Sequence, residues 1–117
     1  MRPEEKERLL KYLYDALNAA RDVDFNTTGH NPQNFEFNNI KWIAERGIEI
    51  ISEALKRASV IEPALPITDL HKIFATRNKI AHEYDIIDPY QLYTIVNKNI
   101  PVLIEELKIF IETLEKT

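Results

Sequence analysis

Arg77-Asn78-Lys79-Ile80-Ala81-His82-Glu83-Tyr84 places an imidazole five residues after a guanidinium and a phenol two residues after that. An imidazole exchanges protons near neutral pH, and a guanidinium holds a phosphate or carboxylate through two parallel N–H···O bonds. The position of the arginine is as informative as its type. Laid out at helical period, Leu70, Ile73, Phe74, Ile80, Ala81 and Tyr84 make one apolar stripe, and Arg77 falls within it rather than on the polar flank. A charge buried there alone would be strongly unfavourable, so the spacing predicts that Arg77 meets an anion or opens onto water.

Other chemistries fit poorly. Gly29 and Gly47 are the only glycines, which excludes a glycine-rich phosphate loop. The absence of cysteine excludes disulfides, thiolate metal sites and cysteine nucleophiles, and suits a reducing compartment, so the cytoplasm is the expected location. His30, His71 and His82 include no pair at the i, i+4 spacing of a helical zinc site, so neither a metal nor another cofactor is expected. His30 reads as a solvated loop residue. His71 shares a side of its helix with His82 but lies about 16 Å from it along the axis, too far to join one site. Glu4-Glu5 and Glu105-Glu106 read as solvated helix charge. The formal net charge of −4 argues against a whole-surface grip on nucleic acid, so any such contact needs a local basic patch.

The elements that must position these residues are all helices. At 117 residues, 44% hydrophobic and 29% charged, the chain has the size and apolar content of one domain, residues 1–117. It has no apolar run long enough to span a bilayer, and the charged start Met1-Arg2-Pro3-Glu4-Glu5-Lys6-Glu7-Arg8 lacks a signal-peptide core, so a soluble protein is expected. A first helix is predicted from Pro3 to about Val23, and an Asn-rich loop from Phe25 to Asn39. A second helix runs from about Phe37 to Ser59, with Gly47 on its apolar stripe and therefore at a close backbone approach. Thr68 is the expected N-cap of a third helix, Asp69 to roughly His82. Asp88-Pro89 opens a fourth that reaches the end of the chain, with a kink or break near Asn97 caused by Pro101. Short connections make an all-α, up-and-down bundle of four or five helices the economical architecture.

Arg-x-x-x-x-His with a polar residue after the arginine and Tyr two after the histidine resembles the signature of the HEPN superfamily, specifically its HepT-like ribonuclease toxins. Ile48-Glu49-Ile50-Ile51-Ser52-Glu53-Ala54, the Leu65-Pro66 turn and Ile100-Pro101-Val102-Leu103 resemble the same subgroup in order and spacing. Two positions depart from it: Ser52 stands where many relatives have glycine, and Ile67 follows Leu-Pro where an aromatic is common. The resemblance implies a metal-independent endoribonuclease, active as a homodimer in which two Arg77–His82 pairs meet at one cleft, with Asn78 in support. It also implies a minimal nucleotidyltransferase antitoxin as partner, which silences the enzyme by adding AMP to Tyr84.

These roles agree with the residue types. Attack of a ribose 2′-hydroxyl on its phosphate needs a base, an acid and a cation against the developing charge, and two protomers supply the two histidines that one lacks. Asn78, four residues before His82 on the same face, could orient the imidazole or hold a phosphate oxygen. Lys56, Lys72, Lys79, Arg46 and Arg57 could supply a basic rim for RNA, or be ordinary solvated charges. Tyr12, Tyr14, Tyr90 and Tyr93 read as core or interface aromatics. A purely structural reading also stands, in which Arg77 pairs with an acid across a helix interface, His82 ends a helix and Tyr84 packs in the core. At the level of function the alternatives are a non-catalytic HEPN-type subunit bound to a nucleotidyltransferase, and a helical dimerisation domain without a substrate.

Overall fold

Proline at the first helical position and Glu4 and Glu5 in the first turn start α1 (Pro3–Thr27), where a fixed φ and negative charge favour a helix N-terminus. The computed structural model describes residues 1–35, 39–82 and 87–117, and through them the chain is all-α. After α1 come a 3-10 turn (Pro32–Phe35), α2 (Asn39–Ile61), α3 (Leu70–Ala81), α4 (Pro89–Thr94), a π turn (Ile95–Asn99) and α5 (Ile100–Glu115). The long α1 packs against both α2 and α5, α3 packs on α2, and α4 packs against the 3-10 turn. The result is the expected helical bundle, 46 × 29 × 20 Å. Among the described residues, no helix is long and apolar enough to cross a membrane.

The core forms where the apolar stripes meet: Leu9, Leu13 and Ala16 of α1, Ile48, Ile51 and Leu55 of α2, and Leu103 and Leu107 of α5 are all essentially inaccessible. Gly47 is buried between α2 and α1, and a Cβ there would collide with the side chain of Val23, so the close approach expected from its place on the stripe is present.

The first helix runs four residues past its expected end. Asn26, Thr27 and Thr28 bond back through their side chains to the carbonyls of Asp22, Val23 and Asp24, which leaves their turn-forming chemistry compatible with helix. Gly29, at φ +85°, then turns the chain. The predicted loop also contains a core residue. Phe35 is fully buried and meets Tyr93 edge to face, with centroids 5.7 Å apart. Phe37, the expected start of the second helix, lies outside the described residues.

Thr68 is not the cap of α3. The N-cap is Asp69, while the Thr68 backbone N–H and hydroxyl both donate to the Glu106 carboxylate on α5. Asp69 Oδ2 in turn accepts from Asn99 Nδ2 at 2.9 Å, so polar contacts tie the start of α3 to α5 and to the π turn before it. The irregularity expected near Asn97 takes the form of the π turn. Ile100 N–H reaches back five residues to the Ile95 carbonyl, and Asn97 Nδ2 donates to the Tyr93 carbonyl at 2.9 Å. Pro101, which has no N–H to give, follows without ending the helix.

Candidate active site

Ile73 and Thr76 bury one side of α3, and Leu70, Phe74, Arg77 and Ile80 are partly buried beside them. Arg77 therefore does lie on the inward flank, as its place in the stripe implies. Ala81 does not: it is exposed. The Arg77 guanidinium makes no hydrogen bond or ion pair with any described residue, so the acid that a structural reading would pair with it is not found there. Mid-helix, Lys56 Nζ of α2 sits 5.6 Å from the Phe74 ring centroid, one of the contacts between α3 and α2.

The helix stops at the histidine. His82 is the C-cap of α3, with φ −93° and ψ 119°, and its backbone N–H donates to the Lys79 carbonyl at 3.3 Å. It is exposed, as is Asn78 one turn earlier on the same flank. Arg77 stands apart from that flank. At helical geometry five residues separate it from His82 by about 140° around the axis and about 7.5 Å along it. By spacing, Asn78 and His82 of one protomer lie one turn apart on the same flank, with Arg77 to the side. Tyr84 lies outside the described residues.

The five candidate cations do not form one rim. Lys72 and Lys79 border a cleft of about 420 Å³ between α3 and α4, together with Tyr90, Gln91 and Thr94. Arg46 and Arg57 border a different cleft, about 530 Å³, between α1 and α2. There Arg57 pairs with Glu53 at 3.0 Å, and Arg46 lies 3.9 Å from Glu49. Lys56 is occupied with Phe74. The cations sit on two different helices, and on α2 Arg46 and Arg57 have carboxylates three and four residues away, whereas α3 has three cations and no acid. Trp42, 66% exposed at the edge of the α1–α2 cleft, escaped the sequence reading because a lone aromatic outside the apolar stripe carries no periodic signal.

Other sequence candidates fall elsewhere. His30 Nδ1 lies 3.2 Å from Asn34 Oδ1 and is partly buried, so it braces the turn rather than being merely solvated. His71 is exposed near the far end of α3. Tyr12 and Tyr93 pack against the core, whereas Tyr14 and Tyr90 are 39% and 60% exposed. Glu45 of α2 is partly buried, and that burial pushes its carboxyl above the usual range against the opposing attraction of Lys41. Among the described residues, no three His, Asp or Glu side chains gather as a metal site would need.

Residues 16–110 match the family described as Ribonuclease HepT-like. The match takes in most of the bundle, including all of α2, α3 and α4. The chain is also 26% identical over 109 residues to a protein of Methanocaldococcus jannaschii named "Putative RNase MJ0125", an alignment covering 92% of this chain and 89% of that one. No solved structure matches it. The chain belongs to the HepT-like ribonuclease family, and with it to the HEPN superfamily that its Arg77–Tyr84 segment resembles.

Proposed function

We propose that the protein is a metal-independent endoribonuclease toxin whose active site is completed by a second copy of the chain. The observation that carries this reading is the placement of Arg77 in a member of a ribonuclease family: a cation on the inward flank of α3, without an anionic partner among the described residues. A substrate phosphate at a subunit junction would satisfy that charge. His82, exposed at the end of the helix, is the proton-transfer group. In a twofold dimer one His82 takes the 2′-hydroxyl proton as the oxygen attacks phosphorus, and the other protonates the departing 5′-oxygen. The two Arg77 side chains stabilise the phosphorane between them, and Asn78 orients the imidazole from one turn away. The products are a 2′,3′-cyclic phosphate and a 5′-hydroxyl.

Regulation follows the same logic. AMP attached to Tyr84 by a nucleotidyltransferase antitoxin would bring a phosphate to the arginine that should hold RNA, and its bulk would block the strand. The test is cleavage of single-stranded RNA by purified protein in EDTA, alone and after incubation with the cognate nucleotidyltransferase and ATP. Arg77→Ala and His82→Ala should each lower the rate about 10²-fold or more while the dimer persists. Modification should appear on Tyr84, silence cleavage and be absent from Tyr84→Phe. Full activity in either variant, or loss of wild-type activity in chelator, rejects the mechanism; a dimer that cuts nothing supports a non-catalytic subunit.

A further inference from the structure

The cleft between α3 and α4 is lined by two lysines and an open tyrosine ring. Its α3 wall carries Lys72 and Lys79, two helical turns and about 10 Å apart along the axis. Neither ammonium is paired with a carboxylate among the described residues; Lys79 Nζ makes only a long 3.4 Å contact with Gln91 Oε1. The opposite wall presents Tyr90, 60% exposed, with Gln91 and Thr94 beside it. The one carboxylate among the described residues of the lining, Asp88, is engaged in accepting the Tyr90 backbone N–H at 2.8 Å, where it caps α4. Lys79 precedes His82 by three residues, so the cleft and the proposed proton-transfer group are neighbours on α3.

We propose that this cleft is a binding subsite for single-stranded RNA on its way to the Arg77–His82 site, with Lys72 and Lys79 holding separate backbone phosphates and the Tyr90 ring stacking on a base. The inference rests on the ribonuclease reading and extends it to how the strand is held. Charge complementarity selects the occupant. A polyanion matches two unpaired ammoniums, and an open aromatic face with amide and hydroxyl groups beside it suits a nucleobase. A protein helix would instead call for a floor of large aliphatic side chains, and among the described residues this cleft offers Ala75 and Ile95 alone.

The test uses a fluorescent single-stranded oligoribonucleotide in two forms, a 2′-O-methyl version that cannot be cut and the ordinary ribose version. The Lys72→Ala/Lys79→Ala double variant should bind the uncuttable strand at least about tenfold more weakly. The slope of its log affinity against log salt should be shallower by about 1.4, the value for two lost phosphate contacts on a single strand. Tyr90→Ala should lose about tenfold in affinity and Tyr90→Phe almost none, because stacking needs the ring and not the hydroxyl. With the cleavable strand, both losses should appear in KM, with kcat within about twofold of wild type. Lys116→Ala, which follows α5 and does not line the cleft, serves as the control and should change nothing.

Wild-type affinity and salt slope in the double lysine variant overturn the subsite. If that variant also cleaves normally, the ribonuclease reading survives the loss. Binding through these residues without cleavage keeps the subsite and rejects the ribonuclease reading. A wild-type protein that binds no strand rejects the subsite outright.

Discussion

Glu45 shows how a single side chain can make stability depend on pH. Burial raises its folded-state pKa above the unfolded value, so the folded chain holds the proton more tightly, and above that pKa the ionised carboxylate works against folding. The penalty is present at neutral pH and relieved as pH falls through the folded pKa. Glu45→Gln should therefore raise the unfolding midpoint at pH 7 by a modest amount, since the group is only partly buried, and the gain should vanish at about pH 4. Parallel thermal melts across that range check it, and a gain that grows on acidification would contradict the assignment. At this scale the sequence was informative where a residue broke a pattern and silent where it fitted none. Arg77 interrupts an apolar stripe, and its inward placement was readable from that alone. Phe35 and Trp42 stand outside any period, so neither the burial of the first nor the exposure of the second could be foreseen.

Between α1 and α2 the contact depends on one missing methyl group. Gly47→Ala would drive a Cβ into the Val23 side chain, a strain of about 1–3 kcal/mol, offset by about 1 kcal/mol from the better helix propensity of alanine. The variant should be destabilised in urea, and adding Val23→Ala should recover part of the overpacking loss. Stability at or above wild type in the single variant would show that the helices move apart freely. The π turn and Pro101 form a second coupled pair. A plain α-helix through this region would set the proline ring against the carbonyl four residues earlier, whereas the extra residue of a π turn relaxes that geometry. Deleting Asn97 should therefore destabilise the protein more in the Pro101 background than in Pro101→Ala, a coupling that a double-mutant cycle in urea measures. Additive effects would uncouple the two. Helix existence and order were legible from periodicity, but the helix ends were decided by side-chain bonds that periodicity does not encode: Asn26, Thr27 and Thr28 prolong α1, and Glu106 takes Thr68 away from the cap.

The molecule as a whole carries its charge unevenly. The chain has a formal net charge of −4, yet α3 contributes +3 through Lys72, Arg77 and Lys79, which leaves −7 on everything else. From a distance, an approaching polyanion meets the negative total; only within a few ångströms does it meet the positive helix. Salt acts on these two ranges differently. Raising the ionic strength from about 0.01 to 0.1 M shortens the screening length from about 30 to 10 Å, which removes the long-range repulsion while the close contacts keep most of their strength. Further salt then weakens the contacts themselves. Stopped-flow association with a single-stranded oligonucleotide should accordingly pass through a maximum at intermediate salt, rather than falling throughout as it does for a uniformly basic protein. A monotonic decline would mean that the local field of α3 already dominates at long range. If the chain takes RNA as proposed, the uneven charge would make it a selective surface: strands that drift past would be turned away, and a strand would be captured only on arriving at the face where α3 lies.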